Sequence, residues 1–113
     1  MEICSIASGS SGNCIYIASE QSRILIDVGI SGKRIREGLA SIGVCLEDLT
    51  GILITHEHSD HIQGLGVISR KYNLPIYSTK GTIEGILQSG SVGKVDASLF
   101  HEIEYEIDFL VGD

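Results

Sequence analysis

Two short, uninterrupted apolar runs constrain this chain most. Ile24-Leu25-Ile26 stops at Asp27-Val28-Gly29, and Ile52-Leu53-Ile54 stops at Thr55-His56. A strand facing water on one side alternates apolar with polar residues, so three consecutive apolar residues predict a strand covered on both faces, as in parallel sheets. Between the runs, Ile35, Leu39 and Ile42 recur at i, i+4 and i+7, with Ser31 ahead as an N-cap and Gly43 behind as a left-handed terminator. The spacing predicts a strand-helix-strand unit whose apolar helical stripe packs on the sheet.

The flanking segments extend that unit. Ile3 to Ala7 and Cys14 to Ala18 surround Gly9-Ser10-Ser11-Gly12-Asn13 and read as an N-terminal antiparallel hairpin. A second helix is expected from Asp60 to Tyr72, with Ile62, Leu65, Ile68 and Tyr72 facing inwards, although Gly64 and Gly66 each weaken it by about 1 kcal/mol relative to Ala. Pro75 opens a strand over Ile76-Tyr77-Ser78, and Thr82 caps a third helix carrying Ile83, Ile86 and Leu87. From Glu102 onwards Ile103, Tyr105, Ile107, Phe109 and Val111 alternate with acidic residues, which predicts a half-buried strand with an acidic outer face. The fold class is therefore α/β, a mixed β-sheet layered with helices.

The 113 residues make one domain at most, without repeat or linker. Net charge is −7, which by itself argues against a nucleic-acid partner. Residues 96–113, however, hold six acidic residues and no basic one, so the rest of the chain is nearly neutral. Cys4, Cys14 and Cys45 show no CxxC spacing, which suggests neither a disulfide framework nor a thiolate zinc site and points to a reducing compartment. No signal-peptide pattern is found, and no apolar run approaches the ~20 residues that span a bilayer. The expectation is a cytoplasmic protein with no membrane partner.

Chemistry is concentrated in His56-Glu57-His58-Ser59-Asp60-His61, which holds three of the four histidines directly after a buried strand. Neutral imidazoles and carboxylates converging on one point make a metal site. His56 and His58, at i and i+2, can project to one side, with Asp60 and His61 turned to a neighbouring point; this suits two adjacent metal ions better than one closed tetrahedral site. A polar strand-to-helix loop with Asp60 as a helix cap is the plain alternative, and three histidines with an aspartate at this spacing weigh against it. The Gly9 to Asn13 loop offers hydroxyls and backbone N–H groups that could approach a phosphate, or a simple turn. Lys33, Arg34 and Arg36 crowd a helix start that the macrodipole makes unfavourable for cations; a solvated face or an anionic ligand would account for them. His101 reads as a surface residue on the polar side of the acidic strand.

The segment from Ile52 to Leu65 resembles the HxHxDH signature of the metallo-β-lactamase-fold hydrolases, and Ile24 to Gly29 resembles the first motif of that superfamily. Ala7 to Cys14, Gly64-Leu65-Gly66-Val67 and Tyr72 to Tyr77 are most similar to the WalJ/YycJ branch. The resemblance implies the N-terminal half of a four-layer αββα sandwich, with residues 1–113 as part of a single domain. It implies a metal-dependent hydrolase, a phosphodiesterase or DNA exonuclease of the bacterial cytoplasm, in which two divalent ions, Zn or Mn, hold a hydroxide.

On that resemblance His56 and His58 bind the first metal and Asp60 and His61 the second. Asp60 and Asp27 are then the catalytic carboxylates, Asp27 by orienting the site; Ser10, Ser11 and Asn13 are candidate substrate contacts on the residue types of their loop alone. The superfamily pattern further calls for a later histidine, a bridging aspartate and a final histidine, which residues 62–113 do not match. Two other readings stay open: a hydrolase of small thioesters, esters or lactones, and a metal-binding but catalytically incompetent fragment. Half of such a sandwich would leave one sheet face bare, so dimerisation or association through that face is expected.

Overall fold

A computed structural model describes residues 2–9, 12–90, 93 and 95–103. Six strands form one sheet in the order β1 (Glu2–Ala7), β2 (Cys14–Ala18), β3 (Arg23–Ile26), β4 (Gly51–Leu53), β5 (Ile76–Ser78) and β6 (Phe100–Glu102). β1, β2 and β3 pair antiparallel; β3 to β6 run parallel. The mixed α/β sheet expected from the sequence is what forms. Helices α1 (Gly32–Ala40), α2 (Ser59–Ile62), α3 (Leu65–Tyr72) and α4 (Lys80–Ser89) fill the connections. Among the described residues, no helix is long and apolar enough to cross a membrane.

The two faces of the sheet differ. Cys14, Tyr16, Leu25, Ile52 and Ile76 point to one face and are fully buried against Ile35 and Leu39 of α1, Ile62 of α2, Leu65 and Ile68 of α3 and Ile86 of α4. Each such side chain contributes roughly 1.5–3 kcal/mol by leaving water. On the opposite face the register aligns Ile3 with Ile17, Ile17 with Ile24, Ile15 with Ile26, Ile26 with Leu53, and Leu53 with Tyr77. These side chains are only half-buried, and Ile3 is exposed. The apolar runs of β3 and β4 are thus sealed on one face only among the described residues, not on both as their composition predicts.

Several boundaries depart from the sequence pattern. The helix capped by Ser31, whose hydroxyl accepts from the Arg34 N–H, ends at Ala40, so Ile42 lies beyond it and is exposed. Thr79 rather than Thr82 occupies the N-cap position of α4; Thr82 is buried one turn in and accepts a hydrogen bond from the Thr79 hydroxyl. The helix expected over 60–72 is two helices, α2 and α3. The break at Gly64 brings its N–H to the Val28 carbonyl at 2.7 Å, where a Cβ would sit 2.4 Å from the Ile30 carbonyl oxygen. The alternating acidic strand falls mostly on residues 104–113, outside the described residues. His101 is exposed as expected, but it pairs with Tyr77 and its ring stacks on it at 5.2 Å, which puts it on the half-open apolar face rather than a polar one.

Candidate metal centre

The site is built where three backbone segments meet at the carboxyl ends of β3 and β4. Asp27 follows β3 with φ 62, a left-handed conformation that Asp tolerates better than most residues. Its N–H still donates to the Leu53 carbonyl at 2.8 Å, so the turn starts without breaking the ladder. Val28 N–H then donates to the His61 carbonyl, Asn13 N–H to the Asp60 carbonyl, and Gly29 N–H to the Asn13 carbonyl, each at 2.8 Å. Gly29 lies so close that a Cβ there would sit 1.8 Å from the Asp60 carbonyl oxygen. The histidine loop is therefore clamped to the core by main-chain atoms before any side chain contributes.

Asp27 is buried and is the hub of the side chains. Its Oδ1 accepts the Thr55 N–H at 2.8 Å, and its Oδ2 accepts the Thr55 hydroxyl at 2.7 Å. The same Oδ2 lies 2.7 Å from His61 Nδ1. A carboxylate is acceptor-only, so His61 carries its proton on Nδ1 and turns the lone pair of Nε2 outwards. That Nε2 is 3.5 Å from Asp60 Oδ2. The His56 ring lies 4.8 Å from the His61 ring and 6.4 Å from the His58 ring, centroid to centroid. His56 and His58 are exposed, whereas His61 and Asp60 are half-buried. Glu57, between them, turns away: its side chain packs over Gly85 of α4, where a Cβ would sit 2.8 Å from Glu57 Cγ.

A metal-binding histidine characteristically gives its second ring N–H to a carboxylate, which fixes tautomer and orientation. Asp27 and His61 make that arrangement, and a paired imidazole and carboxylate suit a divalent ion in donor type. The arrangement is open: no group of three or more His, Cys, Asp or Glu side chains is drawn into a metal-holding cluster among the described residues. Cys14 adds no thiolate, since burial pushes its thiol up to about 12 and the negative charge of Asp27 pushes the same way.

Of the candidate substrate contacts, Ser10 and Ser11 lie outside the described residues. Asn13 is described, and its amide is engaged within the fold. Its Nδ2 donates to the carbonyls of Gly9 and Asp60 at 3.1 and 3.2 Å and lies 3.5 Å from Asp60 Oδ2, and its Oδ1 accepts the Gly9 N–H. Its place in the structure is thus beside Asp60, bracing the loop. Lys33, Arg34 and Arg36 are exposed on α1, where Lys33 and Arg36 share a small cleft with Lys71 and Tyr72 of α3. Thr55, the residue that joins Asp27 to the loop, enters the sequence reading only as the end of a strand; the signal for its role was a hydroxyl directly before the first histidine.

Residues 7–109 match the sequence profile of the metallo-beta-lactamase superfamily. The chain belongs to that superfamily. Within it, the chain is 48% identical over 99 residues to exodeoxyribonuclease WalJ of Streptococcus pneumoniae, covering 88% of this chain and 37% of that protein. It is 47% identical over 77 residues to exodeoxyribonuclease YycJ of Bacillus anthracis, covering 68% of this chain and 29% of that one. The chain therefore spans about a third of the length of these curated relatives. Among solved structures, Rm3 metallo-beta-lactamase superposes with a TM-score of 0.77 at 25% identity, over 97% of this chain and 45% of that one. Superfamily membership implies divalent metal ions as the cofactor.

Proposed function

We propose that this chain is the N-terminal part of a metal-dependent hydrolase of phosphodiesters, acting as a DNA exonuclease in the cytoplasm. One observation carries the metal part of the reading: the buried Asp27 carboxylate holds His61 by Nδ1 and presents Nε2 beside Asp60 Oδ2. In this reading Asp60 and His61 hold one ion, Zn or Mn, and His56 and His58 a second. Ions held there would make a nucleophile available at neutral pH and offset the negative charge that builds on the phosphoryl oxygens. Asp27 keeps the His61 lone pair outward, and Asn13 and the Gly29 contact keep Asp60 in place. The substrate class rests on the relatives named exodeoxyribonuclease. The exposed cations Lys33, Arg34 and Arg36 on α1 and Lys71 on α3 suit a phosphate backbone, whose binding would weaken as salt rises.

The test measures bound metal and hydrolysis on one sample, with end-labelled duplex DNA beside a small thioester. Chelator-sensitive release of nucleotides is expected. Turnover of the thioester alone would overturn the nuclease reading in favour of a small-ester hydrolase. A second reading, metal binding without turnover, draws on the open donor set, which lacks a third ligand among the described residues. Metal uptake with neither substrate cleaved is its signature.

The half-open face carrying Ile3, Ile15, Ile17, Ile24, Ile26 and Leu53 leads us to expect association of the isolated chain through it. Light scattering across concentrations checks this, and a monomer throughout would remove the inference.

A further inference from the structure

The Thr55 hydroxyl lies 2.7 Å from Asp27 Oδ2 and 3.0 Å from His56 Nδ1. A hydroxyl has one proton to give and two lone pairs with which to accept. Asp27, ionised, can only accept, so the single Thr55 proton points to Asp27. Were it turned towards His56 instead, two oxygens would face each other at 2.7 Å with no proton between them. The hydroxyl therefore accepts at its other side, and His56 must carry its proton on Nδ1.

We infer that Thr55 is a positioning residue: its hydroxyl relays the charge of Asp27 to His56 and fixes the ring with the Nε2 lone pair free. One buried carboxylate then sets two imidazoles to the same tautomer, His61 directly and His56 through Thr55. The Thr55 backbone N–H on Oδ1 holds the carboxylate in the plane this requires. His56 has no other hydrogen-bond partner among the described residues, so without Thr55 nothing in the loop selects its tautomer. His58, whose ring makes no hydrogen bond among the described residues while its carbonyl accepts the His61 N–H, is the built-in reference. The value of this relay to a metal rests on the reading that His56 and His61 are ligands; the relay itself does not.

The experiment uses imidazole nitrogen chemical shifts of the metal-free chain, recorded where the rings are neutral, with Zn2+ titrated into the same samples by calorimetry. Expected is Nδ1–H at His56 in the wild type and in Thr55→Ser, which keeps the hydroxyl. In Thr55→Val, nearly the same in shape, His56 is expected to move to the mixed tautomers shown by His58, with His61 still Nδ1–H. Zn2+ affinity in Thr55→Val should fall about 10- to 100-fold and return in Thr55→Ser. An unchanged His56 tautomer in Thr55→Val would overturn the relay. A wild-type chain that takes up no Zn2+ but shows the tautomer change would defeat the metal reading and leave the relay standing.

Discussion

His58 and His61 are three residues apart, one just ahead of α2 and one within it, yet their rings are held in opposite ways. His61 has a ring nitrogen on a buried carboxylate, its carbonyl on the Val28 N–H, and its neighbour Asp60 clamped by Asn13 and by the approach of Gly29. The His58 carbonyl accepts the His61 N–H at 2.9 Å, but its ring is exposed and makes only a distant contact with the His56 ring among the described residues. His56 stands between them, exposed but tied to Thr55. The loop thus grades from a half that belongs to the core to a half that belongs to solvent. Orientation settled by the fold costs a ligand nothing at binding; freedom left in a side chain is lost when the ion arrives.

The comparison can be broken first at its backbone. Gly29→Ala would drive a methyl into the Asp60 carbonyl, with main chain on both sides and no flexible side chain to yield. A loss of about 3 kcal/mol or more is expected in denaturant unfolding, at the upper end of overpacking effects. A near-neutral result would mean that the loop is not clamped there.

Side chains sharpen it next. Asp27→Ala strands the Thr55 N–H and hydroxyl and the His61 Nδ1–H, and puts Ala at φ 62. Its expected cost is about 2–4 kcal/mol. His58→Ala should stay within about 0.5 kcal/mol, as surface changes do, while lowering bound metal per chain. Equal stability costs at the two positions would erase the distinction between the halves.

Most of the sheet was legible in the sequence because it depends on local pattern, and the proposed donor set was read from local pattern in the same way. Apolar runs marked β3 and β4, the Gly/Ser/Asn cluster marked the hairpin turn, and residue types alone marked His56, His58, Asp60 and His61. What was not legible depends on contacts between distant segments. Gly64 looked like a weakness within one helix; it ends α2 because Val28 and Ile30 come from another part of the chain. Thr82 and Thr79 are equally good caps by composition, and three-dimensional packing chose Thr79 and buried Thr82. Thr55 looked like a strand end, since its importance comes from a carboxylate 28 residues earlier. The apolar runs also implied two covered faces, where composition reports only that each face is apolar and cannot say which neighbour covers it.

The left-handed backbone of Asp27 has a consequence for how this sequence can drift. Position 27 asks one side chain to accept a positive φ and to offer two oxygens at short reach. Asn meets the first demand and half of the second; Glu offers the oxygens one carbon too far out; Gly frees the backbone and abandons the chemistry. Each single step away from Asp gives up either the turn or the acceptor. A tolerated exchange at position 27 therefore calls for compensating change at Thr55 or His61, because the three residues meet every demand of that turn together.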